Sequence, residues 1–314
     1  MFPIYDVSTW LADRPEVLGS KEKTWLNPDR QLDLPARRHL FKVGRPNTGE
    51  NWAEKVCCEI LKVLGIPCAE YDLAIRNGTH GVISASFLST EASLIPANVL
   101  LSKFDSSYDG SLKFRQARYT LLSALDLVRT LGLLPPPGVA QRFAGMAGYE
   151  IFVGYLLFDV LIGNTDRHHE NWGAVLINGA RTIAGGAEFC LAPSFDHASS
   201  LGRDLTELRR QERLNTRDKR ASPEAYAERG RSAFYGDGQP GRTLTGREVV
   251  ETLLHAFPGP TRFWSARLVD LDQARFRYIF ERVPREIISE YAVKFALRML
   301  AYNQQMIREI ALAD

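Results

Sequence analysis

Asp166 and Asn171 stand five positions apart in the segment Ile162-Gly163-Asn164-Thr165-Asp166-Arg167-His168-His169-Glu170-Asn171-Trp172-Gly173. Phosphoryl-transfer loops use that D-x-x-x-x-N spacing: the aspartate orients an attacking hydroxyl and takes its proton, and the asparagine amide oxygen binds magnesium. Twenty-five residues after Asn171, the stretch Pro193-Ser194-Phe195-Asp196-His197 offers a second ligand for the same metal, Asp196. Carboxylate and amide oxygens suit Mg²⁺, which keeps several waters and takes its other ligands from phosphate. Upstream, Lys42 sits in the short apolar run His39-Leu40-Phe41-Lys42-Val43, and Glu54 follows on a helical pattern. A lysine there neutralises ATP phosphates and the glutamate holds it in place. Backbone N–H groups around Gly19 and Ser20 are suited to cover the phosphates, with Lys21 or Lys23 adding charge. In chain order, these residues describe ATP- and Mg²⁺-dependent transfer to a hydroxyl.

Each residue also has a plainer reading. Asn and Asp favour turns, and Glu54, with Glu50 and Glu59 nearby, fits a solvated helix face. His168, His169 and Glu170 suggest a transition-metal site, but adjacent histidines share a face poorly and no second His or Cys cluster accompanies them. His168 is therefore read as a hydrogen-bonding residue at the nucleotide site that orients the loop. Trp172 reads as core. The charged segment from Arg203 to Arg231 reads as an exposed face, in the part of the chain where a kinase keeps its activation segment.

These residues need rigid supports. Residues 16–26 read as a strand, a turn around Gly19 and a returning strand, and residues 39–43 as another strand. From Glu50 to Leu64 apolar side chains recur at helical spacing until Gly65 and Pro67 end the run. Tyr71–Ile75 and Val82–Leu88 follow as strands, joined by the turn signal Asn77-Gly78. Beyond about residue 95 helices dominate: Ala117–Leu131, an all-round apolar Tyr149–Ile162, Val249–Phe257 and Ile287–Ile310. Two short strands, Ala174–Ile177 and Phe189–Phe195, bracket the approach to Asp196. The expected fold class is α+β: a bilobal protein-kinase-like fold with a small mainly β lobe (1–95) and a larger mainly α lobe (96–314).

Bulk properties limit the partners. Thirty-nine basic against 37 acidic residues leave a formal charge of +2, with no global excess to demand nucleic acid or an acidic membrane. The start, MFPIYDVSTWLADRPE, lacks a signal peptide's basic start and apolar run, and the longest apolar stretch, Ile151–Ile162, is short and carries Asp159. Four cysteines without a CxxC pair fit a reduced setting, so a cytoplasmic location is expected.

The chain resembles the HipA-like serine/threonine kinases. The resemblance rests on G-N-T-D-x-H-x-x-N at Gly163–Asn171, L-x-P-x-[FY]-D at Leu191–Asp196, and G-x-x-E-K-T at Gly19, Glu22, Lys23 and Thr24. It covers nearly the whole chain and is nearest to the short, kinase-only forms of the HipT or CtkA type. It implies a catalytic Asp166, Mg²⁺ on Asn171 and Asp196, and a protein Ser or Thr acceptor. It further implies a bacterial toxin-like kinase or effector, with a substrate such as a translation factor and an antitoxin partner. Phosphatidylinositol kinases share the layout, and a nucleotide-binding pseudokinase is a third reading; no basic amphipathic helix or lipid anchor supports the lipid substrate. In long HipA proteins an autophosphorylated serine precedes the loop glycine by three residues; here that position is Glu16, and Ser20 is the nearest alternative acceptor.

Overall fold

A computed structural model of the chain describes residues 1–15, 23–28, 37–137, 143, 145–177 and 188–313. The chain packs as two units, one from Met1–Phe87, Asp196–Tyr226 and Leu271–Ala301, the other from Leu88–Phe195, Ala227–Asp270 and Tyr302–Asp314.

The first unit opens with strands β1 (Ile4–Asp6), β2 (Leu11–Pro15), β3 (Lys23–Asn27) and β4 (His39–Val43), then helix α1 (Glu50–Leu64), then β5 (Asp72–Arg76) and β6 (Thr79–Ala85). The strands form one sheet in the order β1-β5-β6-β4-β3-β2, parallel only between β1 and β5. Successive side chains on a strand point to opposite faces, and β4 uses this directly. Phe41 joins an apolar cluster of Val7, Trp10, Leu26, Ala74 and Ile83. Lys42 turns the other way, in register with Lys23 on β3 and Val82 on β6. The β5–β6 hairpin turns on Asn77 and Gly78 at φ 50° and 78°, the positive pair that a tight two-residue hairpin requires. Helix α1 packs on β5 and β6 and ends at Gly65, φ 77°, whose N–H bonds back to the last turn.

In the second unit β7 (Ala92–Pro96) and helices α2 (Ala97–Phe104), α3 (Leu121–Thr130) and α4 (Gly148–Ile162) precede β8 (Gly173–Ile177) and β9 (Glu188–Leu191). The three strands pair antiparallel in the order β7-β8-β9. Helix α4 is buried on almost every side, as its unbroken apolar sequence requires. Its end is shaped by Gly163, φ 64°: Gly163 N–H returns to Val160 O and Asn164 N–H to Asp159 O. That cap throws the chain abruptly into the Asp166 segment.

The chain then returns to the first unit through α5 (Glu207–Asn215) and α6 (Pro223–Arg229). The segment read as an exposed charged face is partly structural. Arg210 is buried and donates to the carbonyls of Gly202 and Arg203, and Arg213 donates to Ala221 O and lies over Tyr226. A hairpin, β10 (Arg231–Gly236) and β11 (Gln239–Thr245), leads into α7 (Gly246–Ala256) and α8 (Pro258–Val269); α9 (Gln273–Glu281) and α10 (Glu290–Ala311) close the chain. Among the described residues no helix is long and apolar enough to cross a membrane.

Helix α7 carries a pH-dependent cap. Glu248 accepts from Thr245 N at 2.8 Å, Thr245 Oγ1 at 3.0 Å and Arg242 Nη1 at 2.7 Å, while Thr245 Oγ1 accepts from Glu248 N. Arg242 and the Thr245 donors outweigh partial burial and hold the Glu248 carboxyl down at about 2. A folded value below the unfolded one stabilises the fold at any pH above the unfolded value and ceases to as pH falls through the folded one. Glu248→Gln, which keeps an amide oxygen at the cap but loses the charge opposite Arg242, should therefore cost up to about 1 kcal/mol at pH 7, with the gap to wild type narrowing as pH drops from about 4.5 toward 2. Thermal unfolding at stepped pH measures this; a gap unchanged between pH 7 and pH 3 would refute the cap.

Candidate active site

Lys42 is the centre of the first unit's polar cluster. It is buried on β4, and its ammonium lies 2.5 Å from Glu54 Oε1 on α1 and 3.1 Å from Asp196 Oδ1, over the ring of Tyr71. Burial opposes the charge, but Asp196 and Glu54 outweigh it and hold Lys42 protonated well above the ordinary lysine value. Burial pushes the Glu54 carboxyl up and Lys42 pulls it back. Lys23 adds a second ammonium 3.4 Å from Asp196 Oδ2, which follows from its register opposite Lys42. Asp196 itself adopts φ 59°, a left-handed conformation that Asp tolerates better than most side chains. It is held there from both sides: Asp196 N–H donates to the Tyr71 hydroxyl at 3.2 Å, and His197 N–H to Glu54 Oε2 at 2.8 Å. Glu54 thus fixes both the lysine and the backbone next to Asp196. One turn earlier, buried Glu50 pairs with Arg45 at 3.0 Å and Arg203 at 2.9 Å, fastening the start of α1 to the chain beyond Asp196.

In the second unit the loop after α4 is built around Arg167. This side chain is 1% exposed, and all five of its N–H bonds are used. Nε and Nη2 grip the Asp159 carboxylate at 2.7 and 2.9 Å, Nη1 reaches Asn171 O at 2.6 Å and Phe195 O at 2.9 Å, and Nη2 also reaches Ser194 Oγ at 3.1 Å. One buried cation therefore sets the backbone at Asn171 and at the residue immediately before Asp196. Asn164 completes the support, donating to Asp159 Oδ1 and accepting from Asp166 N. Asn171 donates its amide to Asp166 O at 2.7 Å, so the amide oxygen is the atom it could offer to a metal. His168 is buried; its Nδ1 accepts from Glu170 N, so Nε2 carries the proton and faces Asp166 Oδ1 at 3.7 Å. His169 turns elsewhere, to the Tyr108 hydroxyl at 2.5 Å, and burial keeps it neutral by lowering its pKa. Amid these buried neighbours the Asp166 side chain is 38% exposed.

The structure thus gathers Lys23, Lys42, Glu54 and Asp196 in the first unit, and Asp166, His168 and Asn171 in the second. Gly19, Ser20 and Lys21, together with Glu16, lie outside the described residues. The sequence reading missed Arg167 and Asp159. The signal was present: beyond Glu150 in its first turn, α4 carries one carboxylate in an otherwise apolar run, which must have a buried partner, and Arg167 lies eight positions on. Tyr71 and Arg203 carried no comparable signal.

Both donor types suit Mg²⁺: a carboxylate at Asp196 and an amide oxygen, its NH₂ already engaged, at Asn171. No three His, Cys, Asp or Glu side chains converge as a metal cage among the described residues. Mg²⁺ keeps several waters and takes other oxygens from phosphate, so holding it needs no such cage.

The model of the HipA-like C-terminal domain family matches residues 16–255. The chain belongs to this family. Among solved structures, this HipA-like chain is similar to the Helicobacter pylori proinflammatory kinase CtkA, at 19% identity and a TM-score of 0.74 over 98% of this chain and 97% of that one. It is also similar to a chain of the Shewanella oneidensis MR-1 toxin–antitoxin complex of HipA, HipB and operator DNA, at 13% identity and a TM-score of 0.55 over 99% of this chain and 70% of that one. No curated protein sequence matches it. The fold is accordingly the expected one, α+β and of the bilobal kinase-like class.

Proposed function

We propose that this HipA-like protein is an ATP- and Mg²⁺-dependent serine/threonine protein kinase, of the toxin-like or effector kind that HipA-type enzymes represent. The observation that carries the reading is buried Lys42 between Glu54 and Asp196. Burying such a trio is expensive for stability alone, whereas a fixed ammonium beside a metal-ligand carboxylate is what phosphate positioning needs.

The roles follow from the chemistry of each group. Lys42, held by Glu54, orients and neutralises the phosphates, and Lys23 and the glycine segment add to that charge. Asn171 and Asp196 are the Mg²⁺ ligands. When bound, that ion neutralises charge on the phosphates. Asp166 aligns the acceptor hydroxyl and takes its proton at a carboxylate oxygen. His168, protonated at Nε2, steadies that carboxylate. An antitoxin partner belongs to the same reading, by analogy with the Shewanella toxin–antitoxin system of HipA and HipB.

The test is calorimetry with ATP, with and without Mg²⁺, followed by transfer of labelled phosphate to proteins of a cell lysate. Wild type should bind ATP more tightly with Mg²⁺ and label proteins on Ser or Thr. Asp196→Asn should lose the Mg²⁺ dependence and the transfer, because an amide does not replace the lost charge. Unaltered Mg²⁺ dependence in that variant would remove Asp196 from the site, and label appearing only in lipid would make the enzyme a lipid kinase.

A further inference from the structure

The segment from Tyr108 to Tyr119 is bonded to the catalytic loop residue by residue. Tyr119 donates its hydroxyl to Arg167 O at 2.8 Å, Phe114 meets the His168 ring edge-on at 6.0 Å between centroids, Tyr108 holds His169, and Lys113 pairs with Glu170 at 3.0 Å. Four consecutive loop residues are thus backed by one segment of the same packing unit. A purely structural brace would bury its aromatic groups, and Tyr108 and Tyr119 are buried. Phe114 is not: it is 65% exposed, and Leu112, two residues before it, is 49% exposed. Exposed apolar side chains that adjoin a polar reactive loop mark a contact surface more often than a scattered surface residue does.

We propose that Phe114 and Leu112 form the docking surface for the acceptor polypeptide, selecting a large apolar side chain two or three positions from the phosphorylated Ser or Thr. The proposal rests on the kinase reading above and names the substrate feature that reading leaves open. The spacing comes from distance. His168 Nε2 is 3.7 Å from Asp166 Oδ1, and the Phe114 ring adjoins the same imidazole. Phe114 is therefore within roughly 11 Å of the carboxylate that receives the acceptor, a span that two or three residues of extended chain cover. The occupant is the polypeptide acceptor of that reading rather than a small molecule, because a ring that is 65% exposed offers an open face and not an enclosing pocket. Charge sharpens the preference: Lys113 is paired with Glu170, but exposed Arg115 follows Phe114, so an acidic residue next to the apolar one is favoured over a basic one.

An oriented library of Ser/Thr peptides, with labelled ATP and Mg²⁺, tests this through selectivity rather than rate. Wild type should label peptides with Leu or Phe at the second or third position from the acceptor roughly fivefold or more faster than those with Ala there. Phe114→Ala should bring that ratio close to one. Phe104→Ala, which removes another exposed aromatic from the same unit, should keep it. An undiminished ratio in Phe114→Ala, or no positional preference in wild type, overturns the docking surface. So does transfer to phosphatidylinositol vesicles in place of every peptide. Calorimetry on the same preparations separates the two ideas: absence of Mg-ATP binding refutes the kinase reading itself, whereas binding and transfer without apolar selectivity refute only the surface.

Discussion

Asp166→Ala should keep its fold and its affinity for Mg-ATP while losing a factor of roughly 10² to 10⁴ in phosphoryl transfer. The fold survives because the two bonds that shape the loop at this residue are backbone bonds: Asp166 N–H to Asn164 Oδ1, and Asp166 O from the Asn171 amide. Alanine retains both. The side chain is partly exposed, so its removal leaves no large void. Mg-ATP binding survives because Lys42, Asn171 and Asp196 remain. What is lost is the group that aligns the hydroxyl and accepts its proton, equivalent to about 3 to 5 kcal/mol of barrier. Single-turnover transfer, read beside calorimetric ATP binding and a melting curve, checks all three parts. A folded variant that still transfers at more than about a tenth of the wild-type rate would overturn the assignment. If expression of the protein slows bacterial growth, the same substitution should relieve it.

Arg167→Ala should be damaging in another way, costing about 3 to 5 kcal/mol of stability, because it strands the Asp159 carboxylate in the core. It also removes donors from the carbonyls of Asn171 and Phe195 and from Ser194 Oγ. Arg167→Lys should rescue little, since an ammonium cannot reproduce a planar fork serving five acceptor contacts. The double variant Asp159→Asn, Arg167→Met should be more stable than Arg167→Ala alone, because the buried charge goes with its partner. Urea unfolding provides the comparison. A loss below about 1 kcal/mol for Arg167→Ala would mean that water replaces the guanidinium, and the loop would not depend on it.

The candidate constellation was legible because it is carried by residue types at fixed spacing. Asp166, Asn171, Asp196, Lys42 and Glu54 could each be named, and α1 and α4 located almost to the residue, since both have strong apolar patterns and glycine stops. The helix α8 was not read. It begins Pro258-Gly259-Pro260, a breaker signal anywhere except in a first turn, where the missing proline N–H costs nothing. Strand β7 ends in Pro96, paired with Gly173, and its five residues carry no clear alternation. Arg210 resembled its exposed neighbours in sequence, because only tertiary contacts with the carbonyls of Gly202 and Arg203 distinguish it. Periodicity reports elements, and rare residue types report chemistry; neither reports which of many arginines is buried.

The first packing unit is drawn from three separate stretches of chain, and this has a consequence for synthesis. Lys42 meets Glu54 twelve residues later, but its other carboxylate, Asp196, lies 154 residues further along the chain. At usual elongation rates, roughly 8 to 30 s pass between the two on the ribosome. The unit's last stretch, Leu271–Ala301, emerges later still. A nascent chain can fold its sheet and α1 early, yet the Lys42 ammonium, the Glu54 carboxylate and Asp196 come together only after these later stretches have been made. Under the proposed function, such a chain would gain its phosphate-binding chemistry late in synthesis.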